Sequence, residues 1–170
     1  FDVIENICYI AGAFTEGQTM DNYLVYGKPS TDRIRLIGNV GYQPSDVEKW
    51  RPNARLSNVY ATPLNGVAVV QDNYLMGAFW GLSLAKWQDI TVTGNRIWCM
   101  GAFMEISSAG TGSGSGDQPD KPDLKGYHVD KNTYIDNGRT GAFYYGNKET
   151  KKDEELITFA QWQALGLDRG

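Results

Sequence analysis

Histidine is nearly missing from this 170-residue chain, cysteine is scarce, and no long apolar run occurs. The one histidine, His128, stands in YHVDKN beside Asp130 and Lys131. No second acid, base or ligand is placed with it to draw a triad, so it reads as a solvated surface residue. Cys8 and Cys99 are too few for a disulfide framework and lack zinc-type pairing. Both read as small buried hydrophobes, and no metal site is expected from them. A bilayer-spanning helix needs ~20 consecutive apolar residues, which nothing here approaches, so membrane insertion is not expected. Positive charge is not in surplus either: 16 Lys and Arg face 20 Asp and Glu, for a formal charge of −4. That argues against nucleic acid as a partner. The chain opens on FDVIENICY, without an initiator Met or the charged and apolar regions of a signal peptide. A processed or partial chain is expected.

What the chain does have is glycine, tyrosine and tryptophan, 20, 10 and 5 of them, a β-rich and turn-rich profile. Its 41% hydrophobic content suits one folded domain spanning 1–170. The tripeptide GAF occurs four times, at Gly12, Gly77, Gly101 and Gly141, and is expected to mark equivalent corners of a repeating unit. A second motif precedes the copies: FDVIEN, IRLIGN, AVVQDN, ITVTGN and YHVDKN, ending at Asn6, Asn39, Asn73, Asn95 and Asn132. Its first three positions alternate apolar, any, apolar, as a half-buried strand must, and a turn residue closes each one. The asparagines are 33, 34, 22 and 37 residues apart. A constant short unit with insertions of unequal length describes a solenoid whose loops vary while its strands keep register.

Each unit therefore reads as strand, Asn turn, strand, Gly, strand and variable loop. The stretch 107–126, SSAGTGSGSGDQPDKPDLKG, is expected to be a flexible Gly/Ser/Pro insertion. Asp117, Asp120 and Asp123 within it offer oxygens for a weakly held calcium ion, the one cofactor the sequence suggests, although a solubilising loop is the simpler reading. At the end, Thr158 and Gln161 form a capping box and Gly166 a stop, predicting a short helix over 158–166 with Phe159, Trp162 and Leu165 on one face.

These asparagine-terminated repeats resemble the ladder of right-handed parallel β-helices, the pectate-lyase-like superfamily. ITFAQWQALGLD also resembles a helix-bearing insertion, TFAxWQxxxGLD, found late in many such bacterial proteins. The resemblance implies an all-β, right-handed parallel β-helix of about five coils with a short C-terminal helix, part of a longer extracellular or cell-surface protein. It also implies a carbohydrate-facing role, acting on or binding a polysaccharide. The aspartate clusters, the GHG and RIK segments and the DPH-type tripeptide of the family's enzymes are absent. Lyase chemistry would need an Arg base among several carboxylates holding calcium, and only Arg139 and Asp136 are present. Catalytic residues are left unassigned, and the competing class is a non-enzymatic structural, adhesive or assembly module displaying loops to a protein partner.

Stacking Asn6, Asn39, Asn73, Asn95 and Asn132 at the ~4.8 Å strand spacing would let each carboxamide donate to the next. Asn also tolerates the left-handed backbone of a tight corner. In GAF the alanine is expected to face inward, leaving Phe14, Phe79, Phe103 and Phe143 outside. With Glu105 and Tyr145 nearby, Phe79, Phe103 and Phe143 would form a sugar-stacking surface. Glu16 and Glu105, three coils or ~14 Å apart, lie too far from each other for a glycosidase pair. A chain that begins directly on a strand motif exposes an unpaired edge, so further chain or a partner protein is expected over its first coil.

Overall fold

The computed structural model describes residues 2–9, 25–27, 33–42, 54–57, 66–77, 79–108, 121–139, 141–147 and 156–170; of 8, 9, 25–27 and 57 it describes the backbone alone. Fifteen short strands, β1 to β15 in chain order, and one helix make up the described elements. The first sheet holds β1 (Asp2–Ile4), β4 (Arg33–Ile37), β7 (Val67–Gln71), β10 (Asp89–Thr93) and β13 (Tyr127–Asp130). The second holds β2 (Ile7–Tyr9), β5 (Val40–Tyr42), β8 (Tyr74–Met76), β11 (Arg96–Trp98) and β14 (Thr133–Tyr134). The third holds β3 (Val25–Gly27), β6 (Ala54–Ser57), β9 (Leu82–Ala85), β12 (Met104–Ser107) and β15 (Phe143–Gly146). The chain thus visits three sheets in the same order five times, and every strand pairing within them is parallel.

Register follows from the alternation seen in the sequence. Leu36, Val70, Val92 and Val129 stand level with one another and are buried, as do Ile34, Ala68 and Ile90. In the third sheet Ala54, Leu82, Met104 and Phe143 form one inner column and Leu56, Leu84 and Ile106 the next. Each large side chain so buried contributes ~1.5–3 kcal/mol by leaving water, and slipping a strand by one residue would turn its whole set outward.

The five asparagines form one column. Asn6 Nδ2 donates to Asn39 Oδ1 at 3.2 Å, and Asn39, Asn73 and Asn95 each donate to the next Oδ1 at 2.9 Å. Each backbone N–H on the column donates to the same oxygen, as in Asn39 N to Asn73 Oδ1 at 2.9 Å. From Asn39 onward the amide also reaches a carbonyl one circuit back, for example Asn73 to Leu36 at 2.8 Å. Asn39, Asn73 and Asn95 are fully buried, so these bonds replace hydration that is no longer available.

The left-handed backbone belongs to the residue before each asparagine: Glu5, Gly38, Asp72, Gly94 and Lys131 have φ between 54° and 68°. This corrects the expectation that asparagine itself adopts it. The preceding residue makes the turn, which leaves the carboxamide free to point along the stack.

The GAF copies are not equivalent. Gly77 lies five residues before β9, Gly101 three before β12, and Gly141 two before β15; the copy at Gly12 falls outside the described residues. Gly77 is needed for its φ of 93°, whereas a Cβ on Gly101 would come within 2.4 Å of the Phe79 carbonyl oxygen. Inward alanine with outward phenylalanine is also corrected. Phe143 is 1% exposed and stands level with Met104 in the inner column, and Phe103, at the corner before β12, is 6% exposed in the same core. Because the chain turns at that corner, neighbouring Ala102, Phe103 and Met104 are all buried, and strict alternation does not apply across it.

The helix α1 (Phe159–Ala164) begins at Thr158, whose Oγ1 accepts from Gln161 N at 3.2 Å while Gln161 Oε1 accepts from Thr158 N at 2.8 Å. Its buried face is Trp162, with Leu167 following. No described helix is long and apolar enough to cross a membrane. Residues 109–120 of the expected Gly/Ser/Pro loop, Asp117 and Asp120 among them, lie outside the described residues, as do Phe14 and Glu16.

Candidate functional site

A cleft of about 440 Å³ opens beside the last circuit. Its walls come from β14, the corner that follows, the start of β15 and α1. The rings of Phe103, Tyr134, Phe143 and Phe159 line it. They form a continuous cluster: Tyr134 to Phe143 4.8 Å edge-on, Phe103 to Phe143 5.7 Å, and Phe143 to Phe159 5.7 Å. Phe159 is 42% exposed and presents the open part of that lining, while Phe143 stacks behind on Trp162 at 4.9 Å.

Polar groups occupy the rim. Thr133, Asp136 and Arg139 line the cleft and are exposed. The corner carrying them is built by side-chain bonds to backbone. Asp136 Oδ1 accepts from Gly138 N at 2.8 Å, and Asn137 Oδ1 accepts from Arg139 N at 3.1 Å. Asn137 Nδ2 anchors the turn to the Cys99 and Gly101 carbonyls at 2.8 and 3.0 Å. The Arg139 guanidinium lies 5.2 Å from the centre of the Phe79 ring. That contact positions the cation at the rim of the cleft, where it can meet a ligand's hydroxyl or carboxylate.

The inner end of the cleft is fixed by Asp168, which sequence reasoning passed over. Asn132, the last asparagine of the column, donates its Nδ2 to Asp168 Oδ1 at 2.9 Å and its backbone N–H to the same oxygen at 3.2 Å. Asp168 Oδ2 accepts from Tyr134 Oη at 2.6 Å and from Trp162 Nε1 at 3.1 Å. One buried carboxylate therefore ends the column and ties both walls of the cleft together. Burial, and then the negative charge of Asp168, hold the Tyr134 hydroxyl well above its ordinary pKa, so it remains a donor at all physiological pH.

The expected site residues divide. Phe103 and Phe143 line the cleft as buried rings, and Phe79 meets it through Arg139. Glu105 and Tyr145 are elsewhere. Glu105 is 1% exposed on the outer side of the third sheet, level with Arg55, Ser83 and Tyr144, which are buried as well. Tyr145 donates to the Pro122 carbonyl at 2.6 Å. His128 is exposed on the first sheet. Asp123, the one described member of the expected calcium group, accepts from Lys125 N at 3.0 Å, and among the described residues no three acidic, histidine or cysteine side chains converge. The signal for the missed wall was present in ITFAQWQALGLD, since Phe159, Trp162 and Asp168 all belong to it.

Among the described residues, Asp136 is the one carboxylate that lines the cleft. The arrangement suits holding a ligand by ring faces and a few directional bonds. No family model matches this chain, and no curated protein or solved structure matches it either.

Proposed function

We propose that the chain is a right-handed parallel β-helix of the pectate-lyase-like kind, from an extracellular or cell-surface protein, and that it binds a polysaccharide or glycan in the cleft beside its last circuit. The observation that carries the reading is the exposed Phe159 ring set among Arg139, Asp136 and Thr133. Flat apolar faces suit the C–H faces of sugar rings, and the rim groups suit their hydroxyls. No residue is assigned a catalytic role. The test is glycan-array screening followed by calorimetry on Phe159→Ala and Arg139→Ala. Each substitution is expected to weaken binding about tenfold, the equivalent of ~1.4 kcal/mol. An array without binders, or full affinity in Phe159→Ala, would sink the reading.

A second reading, an assembly module, draws on the opposite end. Asn6 is exposed and donates onward, so its Oδ1 faces away from the column as an acceptor, with Ile4 and Ile7 exposed beside it. A further strand, from the same polypeptide or a partner protein, would complete that edge. Sedimentation of the chain alone and with its parent sequence distinguishes the two sources.

A further inference from the structure

We infer that the sugar-binding surface continues beyond the cleft as a track along the outer face of the second sheet, and that it takes internal stretches of a polysaccharide chain rather than an isolated sugar terminus. The inference rests on the cleft being a glycan site.

The three sheets differ in what they present outward. On the first, Arg35 is engaged with Asp2 at 2.7 Å, and Val69, Thr91 and His128 continue the row without an aromatic ring. On the third, the outward Arg55, Ser83, Glu105 and Tyr144 are buried. The second presents exposed rings. Tyr74 is 40% exposed, Tyr42 37%, Ile135 46% and Ile7, level with Tyr74 through Val40, 83%, so four of the six exposed large hydrophobic side chains among the described residues fall on one narrow face or its continuation. Tyr74, Arg96 and Thr133 stand level on successive circuits, and Tyr42, Met76 and Trp98 form the adjacent column. The Arg96 guanidinium lies 5.2 Å from the Tyr74 ring centre, the same cation-on-ring arrangement as Arg139 on Phe79.

Two features favour a polymer of sugars as the occupant. The receptor's rows advance once per circuit, every ~4.8 Å, so a ligand that itself repeats can meet side chains of several successive circuits. The face also sets the Tyr42, Tyr74 and Thr133 hydroxyls and the Arg96 guanidinium among the apolar Ile7, Val40, Met76 and Trp98, the mixture of flat apolar surface and directional groups that a sugar takes. Thr133 belongs both to this row and to the cleft lining, which makes the two surfaces continuous.

The test uses size-fractionated oligosaccharides of polygalacturonate, alginate, dextran and chitin, titrated into the full chain. Affinity should rise with chain length. The Tyr42→Ala/Tyr74→Ala double variant should lose that rise, binding long chains about tenfold more weakly while binding disaccharides unchanged; Tyr74→Phe should retain it. Phe159→Ala should weaken binding about tenfold at every length. An unaltered length dependence in the double variant overturns the track and leaves the cleft standing, whereas full affinity in Phe159→Ala overturns the cleft. Binding to none of the sugars removes both. If the double variant instead dissociates an oligomer in sedimentation, the face belongs to a second copy of the chain, and the track is overturned.

Discussion

Replacing Asn73 by Ala removes the middle of the asparagine column, and the structure says what that costs. Asn73 Oδ1 is the acceptor for both Asn39 N and Asn39 Nδ2, each at 2.9 Å, and Asn73 Nδ2 supplies donors to Leu36 O and Asn95 Oδ1. The Asn39 side chain keeps its bonds to the Val3 and Ile37 carbonyls, so its amide is partly satisfied. The Asn39 backbone N–H is left buried without that acceptor. One orphaned donor costs ~1–3 kcal/mol and each further lost bond ~0.5–1.5, giving a loss of about 3–5 kcal/mol against a typical domain total of ~5–15. Asn6→Ala is the control. Asn6 is exposed, and its backbone bond to Asn39 Oδ1 survives the substitution, so the loss should stay below ~1 kcal/mol. Asn73→Asp adds the direction of donation, because a carboxylate still accepts from Asn39 but faces Asn95 Oδ1 without a proton to offer. Urea titration followed by tryptophan fluorescence and circular dichroism reads all three, with equal m-values as the check that the denatured states are comparable. Equal losses for Asn73→Ala and Asn6→Ala would refute the claim that the buried carboxamides hold the stack.

Other consequences can be checked in the same way. Gly94→Ala is expected to cost about 1–2 kcal/mol, since Gly94 has φ 68° and a Cβ there would press on the Asp72 carboxylate, whereas Lys131→Gly relieves the same backbone strain and should not destabilise; thermal melts compare them. Asp168→Asn keeps an acceptor for Asn132 but sets an amide against the Trp162 indole N–H, and a loss of ~2–4 kcal/mol with a changed near-ultraviolet dichroism spectrum is expected. Burial pushes the Cys99 thiol from 9.0 up to about 12, so the folded state resists ionisation that the unfolded chain allows. Stability from this residue is complete below pH 9 and falls away from there towards pH 12; the advantage of the native chain over Cys99→Ala should shrink across that window, and native Cys99 should resist alkylation at pH 8.

The architecture was legible where one residue type performs one task in every circuit. Asparagine at the strand end is such a case, because a stacked carboxamide both accepts and donates along the column and no other side chain of its size does so. The paired apolar positions before it were legible for the same reason. GAF misled because its glycines answer different demands, a positive φ at Gly77 and close backbone approach at Gly101, so that identical tripeptides mark different registers. Alternation likewise failed at Phe103, where the chain turns between two sheets and successive side chains share the core. The cleft was the least legible part. Tyr134 and Arg139 come from one stretch and Phe159 from another, and their meeting depends on how α1 packs at the end of the stack, which periodicity does not encode.

That packing follows from the column itself. Each carboxamide donates towards the C-terminal side, so the last one, Asn132, needs an acceptor that no sixth asparagine provides. Asp168 supplies it, and a carboxylate differs from a carboxamide at this position in one decisive respect: its second oxygen is also an acceptor. That oxygen takes Tyr134 Oη and Trp162 Nε1, drawing α1 against the last circuit and seating Trp162 on Phe143. Phe159, one turn earlier on α1, is thereby carried to the open side of the ring cluster, 5.8 Å from Tyr134. The group that ends the repeat and the group that shapes the cleft are the same carboxylate, so a change that loosens the last rung should open the cleft before it unfolds the stack.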